Sequence, residues 1–182
     1  LKTVSIKYWH VLYARGMSYE RLGKFKDAEK DLLDALEFRP EEPYLLNYLG
    51  YSWADQGINL DQALKMIQQA VSIQPNDGYI ADSLGWVHYK LSNYDDAITF
   101  LERAVELLPY DPTVNDHLGD AYWRAGREQE AKFQWRRALN NREDKDIDLE
   151  KSLKSKIAEG LNADNKELSE LPTQPAPTSA DL

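Results

Sequence analysis

Small residues return along this chain at a nearly fixed interval, and that period limits its fold more than any other feature. Gly16, Gly50, Gly85 and Gly119 are spaced by 34, 35 and 34 residues. Ala28, Ala63, Ala97 and Ala131 follow at 35, 34 and 34, as do Ala35, Ala70, Ala104 and Ala138, and Pro40, Pro75 and Pro109 close the first three units. A period of this length marks stacked supersecondary units, each burying its apolar face on its neighbours. Gly and Ala let two helix backbones approach closely, and larger apolar residues fill the space between successive units.

The remaining landmarks run Leu12, Gly16, Tyr19, Ala28, Leu32, Ala35, Pro40 in the first unit and Leu46, Leu49, Gly50, Trp53, Ala63, Ile67, Ala70, Pro75 in the second. The third reads Leu84, Gly85, His88, Ala97, Leu101, Ala104, Pro109, and the fourth Leu118, Gly119, Tyr122, Ala131, Trp135, Ala138. This pattern resembles the tetratricopeptide repeat family over roughly three quarters of the chain. Departures are Leu12, Leu46, Ala81 and Asn115 where Trp often opens the pattern, Arg15 in place of Leu, and Glu143 in place of Pro. The resemblance implies an all-α fold, a right-handed α-solenoid of four helix-turn-helix units at about 9–42, 43–77, 78–111 and 112–145.

Local signals agree with those bounds. Asp111 before Pro112, and Asn76 with Asp77, read as helix N-caps, and Asn93 with Asp95 as the cap of a second helix. The second unit carries one extra residue within Gln56-Gly57-Ile58-Asn59-Leu60, which a loop absorbs at little cost. Beyond the last unit, Leu149, Leu153, Ile157 and Leu161 recur every fourth residue behind the acidic turn Asp146, Asp148, Glu150. That stripe predicts an amphipathic capping helix over about 146–161, its apolar side on the end of the stack and its charged side in water. The solenoid thus spans 1–161, and the Pro- and polar-rich residues 162–182 read as a flexible tail.

Charge narrows the partners. Lys plus Arg number 22 against 31 for Asp plus Glu, a net charge of -9, which disfavours a nucleic-acid phosphate backbone. The chain has no cysteine, so neither disulfides nor thiolate metal sites form. No apolar run reaches the ~20 residues of a membrane span. The opening on Leu1, already within a helical pattern, predicts a segment excised from a longer protein.

In the family the resemblance points to, first helices line the concave side. The face opposite the packing residues then presents Tyr13, Tyr44, Asn47, Tyr48, Tyr51, Tyr79, Asp82, Trp86, Tyr89, Asp116, His117, Asp120 and Trp123. Tyr and Trp offer large contact areas at low entropy cost, so these residues predict a groove for a peptide or partner helix. Packing between neighbouring first helices is the competing reading. Members that hold acidic chaperone tails use Lys, Arg and Asn here; this chain has Tyr13, Met17, Tyr48, Tyr79 and Ser83. The expected partner is therefore a protein or peptide with an apolar segment and neutral or basic flanks.

Two alternatives stand beside this reading. Exposed edges, beginning with Val4, Ile6, Tyr8 and Trp9, would make a self-assembly module and a homodimer of the fragment. Asp82, Asp116, His117 and Asp120 would make a metal or small-ligand site. His88, at an aromatic packing place, reads as a buried imidazole with its hydrogen bonds met. No GxSxG, HExxH or phosphate loop is present, so neither catalysis nor a cofactor is expected. The wording Asp82-Ser83-Leu84-Gly85-Trp86 and His117-Leu118-Gly119-Asp120 is similar to carboxy-terminal repeats of Gram-negative bacterial members. It implies an envelope assembly or protease-adaptor role in the periplasm, with the cytoplasm as alternative.

Overall fold

The computed structural model describes residues 8–161. Among them are nine α-helices and no strand: α1 Trp9–Arg21, α2 Phe25–Phe38, α3 Pro43–Asp55, α4 Leu60–Ile73, α5 Gly78–Lys90, α6 Tyr94–Leu107, α7 Pro112–Arg124, α8 Glu128–Asn141 and α9 Ile147–Glu159. They fall into two compact bodies, an N-terminal one, Leu1–Pro75, with α1–α4, and a C-terminal one, Asn76–Leu182, with α5–α9. The tail expected at 162–182 and the edge residues Val4 and Ile6 lie outside the described residues.

Within each body the helices pack as consecutive pairs, α1 on α2, α3 on α4, α5 on α6 and α7 on α8. The periodic glycines explain the pairing. A Cβ at Gly50 would stand 2.7 Å from Ile67, one at Gly85 2.5 Å from Leu101, and one at Gly119 2.4 Å from the Trp135 ring. Such distances lie inside ordinary van der Waals contact, so only hydrogen fits at these crossings. Gly16 is looser, with Leu32 at 3.1 Å.

The turn inside each pair repeats as well. Gly23, Gly57 and Gly126 take positive φ, and Ser92 holds the same place in the third pair at φ 63°. In each turn a backbone N–H donates to the carbonyl five residues back: Lys24 to Tyr19 at 2.8 Å, Ile58 to Trp53 at 2.9 Å, Asn93 to His88 at 2.9 Å and Arg127 to Tyr122 at 2.8 Å. This left-handed closure satisfies carbonyls that the helix end leaves open. The extra residue of the second unit is taken up in the same turn, where Asn59 adopts φ 48°.

Two of the expected caps form. The Asp77 carboxylate accepts from the Tyr79 and Ile80 amides at 2.9 and 3.1 Å, and Asp111 accepts from Val114 at 3.0 Å ahead of Pro112. Asn93 does not cap with its side chain. The left-handed turn before it brings the backbone in at φ -86°, ψ 69° rather than in the extended geometry of a side-chain cap.

The C-terminal body is centred on Leu101, Leu118, Trp135 and Leu153, all fully buried, with Ile157 and Leu161 packed against them. The stripe of α9 therefore covers α8 as expected, but its polar side does not all meet water. Lys156 is only 2% exposed, a correction to the amphipathic reading.

Candidate functional site

The face singled out in the sequence lies on α1 and α3 in the N-terminal body and on α5 and α7 in the C-terminal body. In the N-terminal body it is aromatic. Tyr13 of α1 meets Tyr48 of α3 edge-on, ring centroids 5.6 Å apart, and Trp9 stacks on Tyr13 at 6.4 Å. The Arg39 guanidinium lies 5.7 Å from the centre of the Trp9 ring, a cation–π distance. Burial, with the charges of Glu42 and Glu20 adding to it, pushes the Tyr13 hydroxyl up to about 12. Tyr44 is 40% exposed, Tyr13 and Asn47 are half-buried, and Tyr48 and Tyr51 are buried. The Asn47 side-chain carbonyl is shut from solvent and accepts no hydrogen bond among the described residues.

In the C-terminal body the same register is ionic. Asp82, three residues before Gly85, faces His117, two residues before Gly119, with both carboxylate oxygens 3.0 Å from Nδ1. The imidazole is stacked on Trp86 at 4.1 Å, and Trp86 on Tyr89 at 4.7 Å. Burial lowers the His117 pKa, but the charge and hydrogen bond of Asp82 outweigh it, so the net shift is upward. One step on, Asp116 occupies the place of Asp82, and its oxygens each accept from Lys156 Nζ of α9 at 2.8 Å. Lys156 also donates to Asp120 at 3.0 Å, and Trp135 Nε1 donates to the other oxygen of Asp120 at 2.9 Å. Burial raises the Asp120 carboxyl to about 6 against the pull of Lys156, with Asp116 adding to the rise. Both carboxylates hold Lys156 above its usual pKa despite its burial.

The structure thus divides the candidate residues. Asp82, Trp86, Asp116, His117 and Asp120 are buried and engaged with one another or with α9. Tyr79, Tyr89 and Trp123 remain half-buried, although a Cβ at Gly160 would stand 1.9 Å from the Trp123 ring, so the end of α9 lies directly on that indole.

The metal reading is corrected. The four proposed ligands do not converge, because Asp82 pairs with His117 while the ammonium of Lys156 sits between Asp116 and Asp120, where a cation would have to go. Among the described residues no group of three or more His, Cys, Asp or Glu is placed to hold a metal ion. His88 is buried as expected, stacked on Phe100 at 5.3 Å, but neither ring nitrogen has a hydrogen bond. Asp96 is 3.8 Å away, too far for one, and burial lowers the His88 pKa.

Two features escaped the sequence reading. Lys156 is the larger one. Its signal was present, since it falls seven residues after Leu149 and three after Leu153, on the stripe itself. The other is a cleft of about 610 Å³ in the N-terminal body, lined by Lys24, Phe25, Leu49, Trp53, Gln56 and Ile58. It opens beside the α1–α2 turn, and no period marks it.

Comparison with known proteins gives consistent results. Tetratricopeptide repeat family models match residues 13–78 and 79–111. A TPR repeat-containing protein of Pseudomonas aeruginosa, PA4667, is 35% identical over 81 residues, which cover 44% of this chain and 14% of that protein. The chain therefore spans a small part of the curated relative it matches. Among solved structures, MamA 41-end from Desulfovibrio magneticus RS-1 superposes with a TM-score of 0.64 at 20% identity, covering 76% of this chain and 77% of that one. MamA of AMB-1 gives 0.60 at 22%, covering 71% and 76%. At these identities the likeness is one of fold, and the fold class is an all-α tetratricopeptide repeat solenoid.

Proposed function

This chain belongs to the tetratricopeptide repeat family, and we propose that it is a protein-interaction scaffold whose N-terminal body takes a partner segment on the aromatic face of α1 and α3. The observation that carries the reading is the cluster of Trp9, Tyr13 and Tyr48 beside the exposed Tyr44. Aromatic rings with polar handles are the commonest anchors of protein interfaces, and Tyr44 presents one at the surface. Glu20 and Glu42 give the surroundings of Tyr13 a negative field, which suits an apolar segment with basic flanks and disfavours an acidic tail. The proposal is of a binding module, not an enzyme, and places it in a bacterial, envelope-associated setting; the relative in Pseudomonas aeruginosa supports the bacterial part.

The test is capture from the soluble and membrane fractions of a Gram-negative lysate on the immobilised chain, beside a Tyr13→Ala, Tyr44→Ala variant of equal helicity by circular dichroism. The reading expects a protein retained by the first and lost by the second. Equal retention by both would remove the aromatic face from the account. Self-association is the second reading, favoured by Tyr8 and Val11, which are 52% and 55% exposed at the start of α1. A mass that rises with concentration, and falls back in Val11→Asp, would support it.

A further inference from the structure

The C-terminal body contains a helix-binding event of its own. α9 packs on α8 as α7 packs on α6, and its Lys156 reaches back to Asp116 as His117 of α7 reaches back to Asp82. α9 therefore stands where the first helix of a further repeat would stand, yet Ile147–Glu159 has no glycine in the place of the packing glycine of one. It supplies apolar residues, Leu149 and Leu153, to the core, a cation between two carboxylates, and a glycine where the chain crosses Trp123.

The carboxylates make this face selective. Asp116 and Asp120 are 9% and 1% exposed, and two buried carboxylates without a cation are costly. Any helix seated here must offer a cation at that point, on a side chain long enough to reach it. The tether between α8 and α9 is short and charged, with Glu143, Asp144, Lys145 and Asp146 exposed, and Arg142 to Glu150 is its ion pair onto α9.

We infer that the inner face of α7 is a receptor for a lysine-bearing amphipathic helix, filled in cis by α9, so that a partner helix of the same chemistry gains it by displacing α9. This rests on the reading of the chain as an interaction scaffold and adds a second site, with its ligand class, to the aromatic face of the N-terminal body. The recognised pattern is an apolar residue, a second one four positions on, and a lysine three positions after that, as in Leu149, Leu153 and Lys156.

The experiment uses the full chain and a fluorescent peptide of residues 145–161, followed by anisotropy. Wild-type chain, with its site filled, takes up the peptide at least tenfold more weakly than a chain whose site is vacant, because the peptide must first displace α9. The Leu153→Asp, Lys156→Gln chain, which vacates the site while keeping both carboxylates, binds it saturably. The same peptide carrying Lys156→Gln binds at least tenfold more weakly. Gly160→Val gives an independent release, because its side chain would collide with Trp123 while every carboxylate and every apolar residue of α9 is unchanged. Circular dichroism of each variant must show the other helices retained, and whichever variant meets this condition decides the matter. A folded release variant that binds neither peptide, or both equally, overturns the receptor. Wild-type chain that binds as tightly as the release variant, or a wild-type dimer exchanging α9 between copies, overturns filling in cis. None of these substitutions touches Tyr13 or Tyr44, so this test and that of the aromatic face fail independently.

Discussion

The two bodies share their small-residue framework and differ in how neighbouring first helices are joined. Position for position, Tyr13 and Tyr48 in the N-terminal body correspond to Asp82 and His117 in the C-terminal one, counting back from the packing glycine of each helix. One link is an edge-on pair of rings beside an exposed Tyr44; the other is the buried, hydrogen-bonded Asp82 and His117, followed by the ion pair of Asp116 and Lys156. The helix crossings need Gly at one place and a large apolar residue opposite, and they leave the link between first helices open to either chemistry. An aromatic link tolerates partial exposure, since its rings carry no charge that must be paired. An ionic link between buried groups is satisfied only when both sides are present, so the C-terminal face comes with its own helix attached.

The sharpest way to break the comparison is to remove one side of the ionic link. Lys156→Ala should destabilise the C-terminal body by about 3–5 kcal/mol, the usual cost of leaving buried charges unpaired, as measured by urea unfolding, and amide exchange should quicken in α9 first. The framework offers a milder contrast. Gly119→Ala meets Trp135 and should cost about 1–3 kcal/mol by overpacking, whereas Gly16→Ala meets the more yielding Leu32 and should stay within about 1 kcal/mol of wild type, helped by the better helix propensity of Ala.

Acidity separates the two links next. Asp120 binds its proton at about 6 in the folded chain against an ordinary 3.8, and His117 is likewise raised above 6.5. In both cases the folded state holds protons that the unfolded state has released, so the stability they contribute is present at low pH and lost as pH rises through the folded values. The urea midpoint should therefore fall between pH 5 and pH 8. Asp120→Asn should flatten the acidic part of that slope and His117→Gln the neutral part. Tyr13→Phe should leave it unchanged, since the Tyr13 hydroxyl titrates only near 12.

A double-mutant cycle on Tyr13 and Tyr48 should return a coupling of about 1 kcal/mol, the scale of an edge-on aromatic pair, with no dependence on salt. The smallest effect concerns a turn. Ser92→Gly should raise stability by about 0.5 kcal/mol in thermal unfolding, because glycine takes the left-handed φ of the other three turns without a Cβ penalty.

How far the sequence reaches follows from the same contrast. The Gly and Ala places, the Asp77 and Asp111 caps and the extra residue near Asn59 were legible because each depends on a local rule, a close approach or a backbone turn. The left-handed row Gly23, Gly57, Ser92 and Gly126 keeps the same period and was there to be read. What local rules miss is pairing across distant segments. Asp116 and Lys156 are forty residues apart, and a lysine on an amphipathic helix reads as a solvated residue until its partners are in view. The four groups that looked like a metal site are, for the same reason, two separate sets, Asp82 hydrogen-bonded to His117 and Asp116 with Asp120 on Lys156. Trp135 belongs here too: it stands where Leu32, Ile67 and Leu101 stand in the other pairs, and its indole N–H on Asp120 is visible only in three dimensions.

The central claim is that the ionic face of α7 is closed by α9, and lysine footprinting tests it most directly. Lys154 and Lys156 lie on the same helix, the first with a 63% exposed side chain and the second with 2%. Brief treatment of the native chain with an amine-reactive reagent at pH 8, read by mass spectrometry, should modify Lys154 readily and leave Lys156 the slower by at least tenfold, the difference vanishing in urea. Equal rates for the two lysines in the native chain would contradict the account, because Lys156 would then lie in water and Asp116 and Asp120 would be left without their cation.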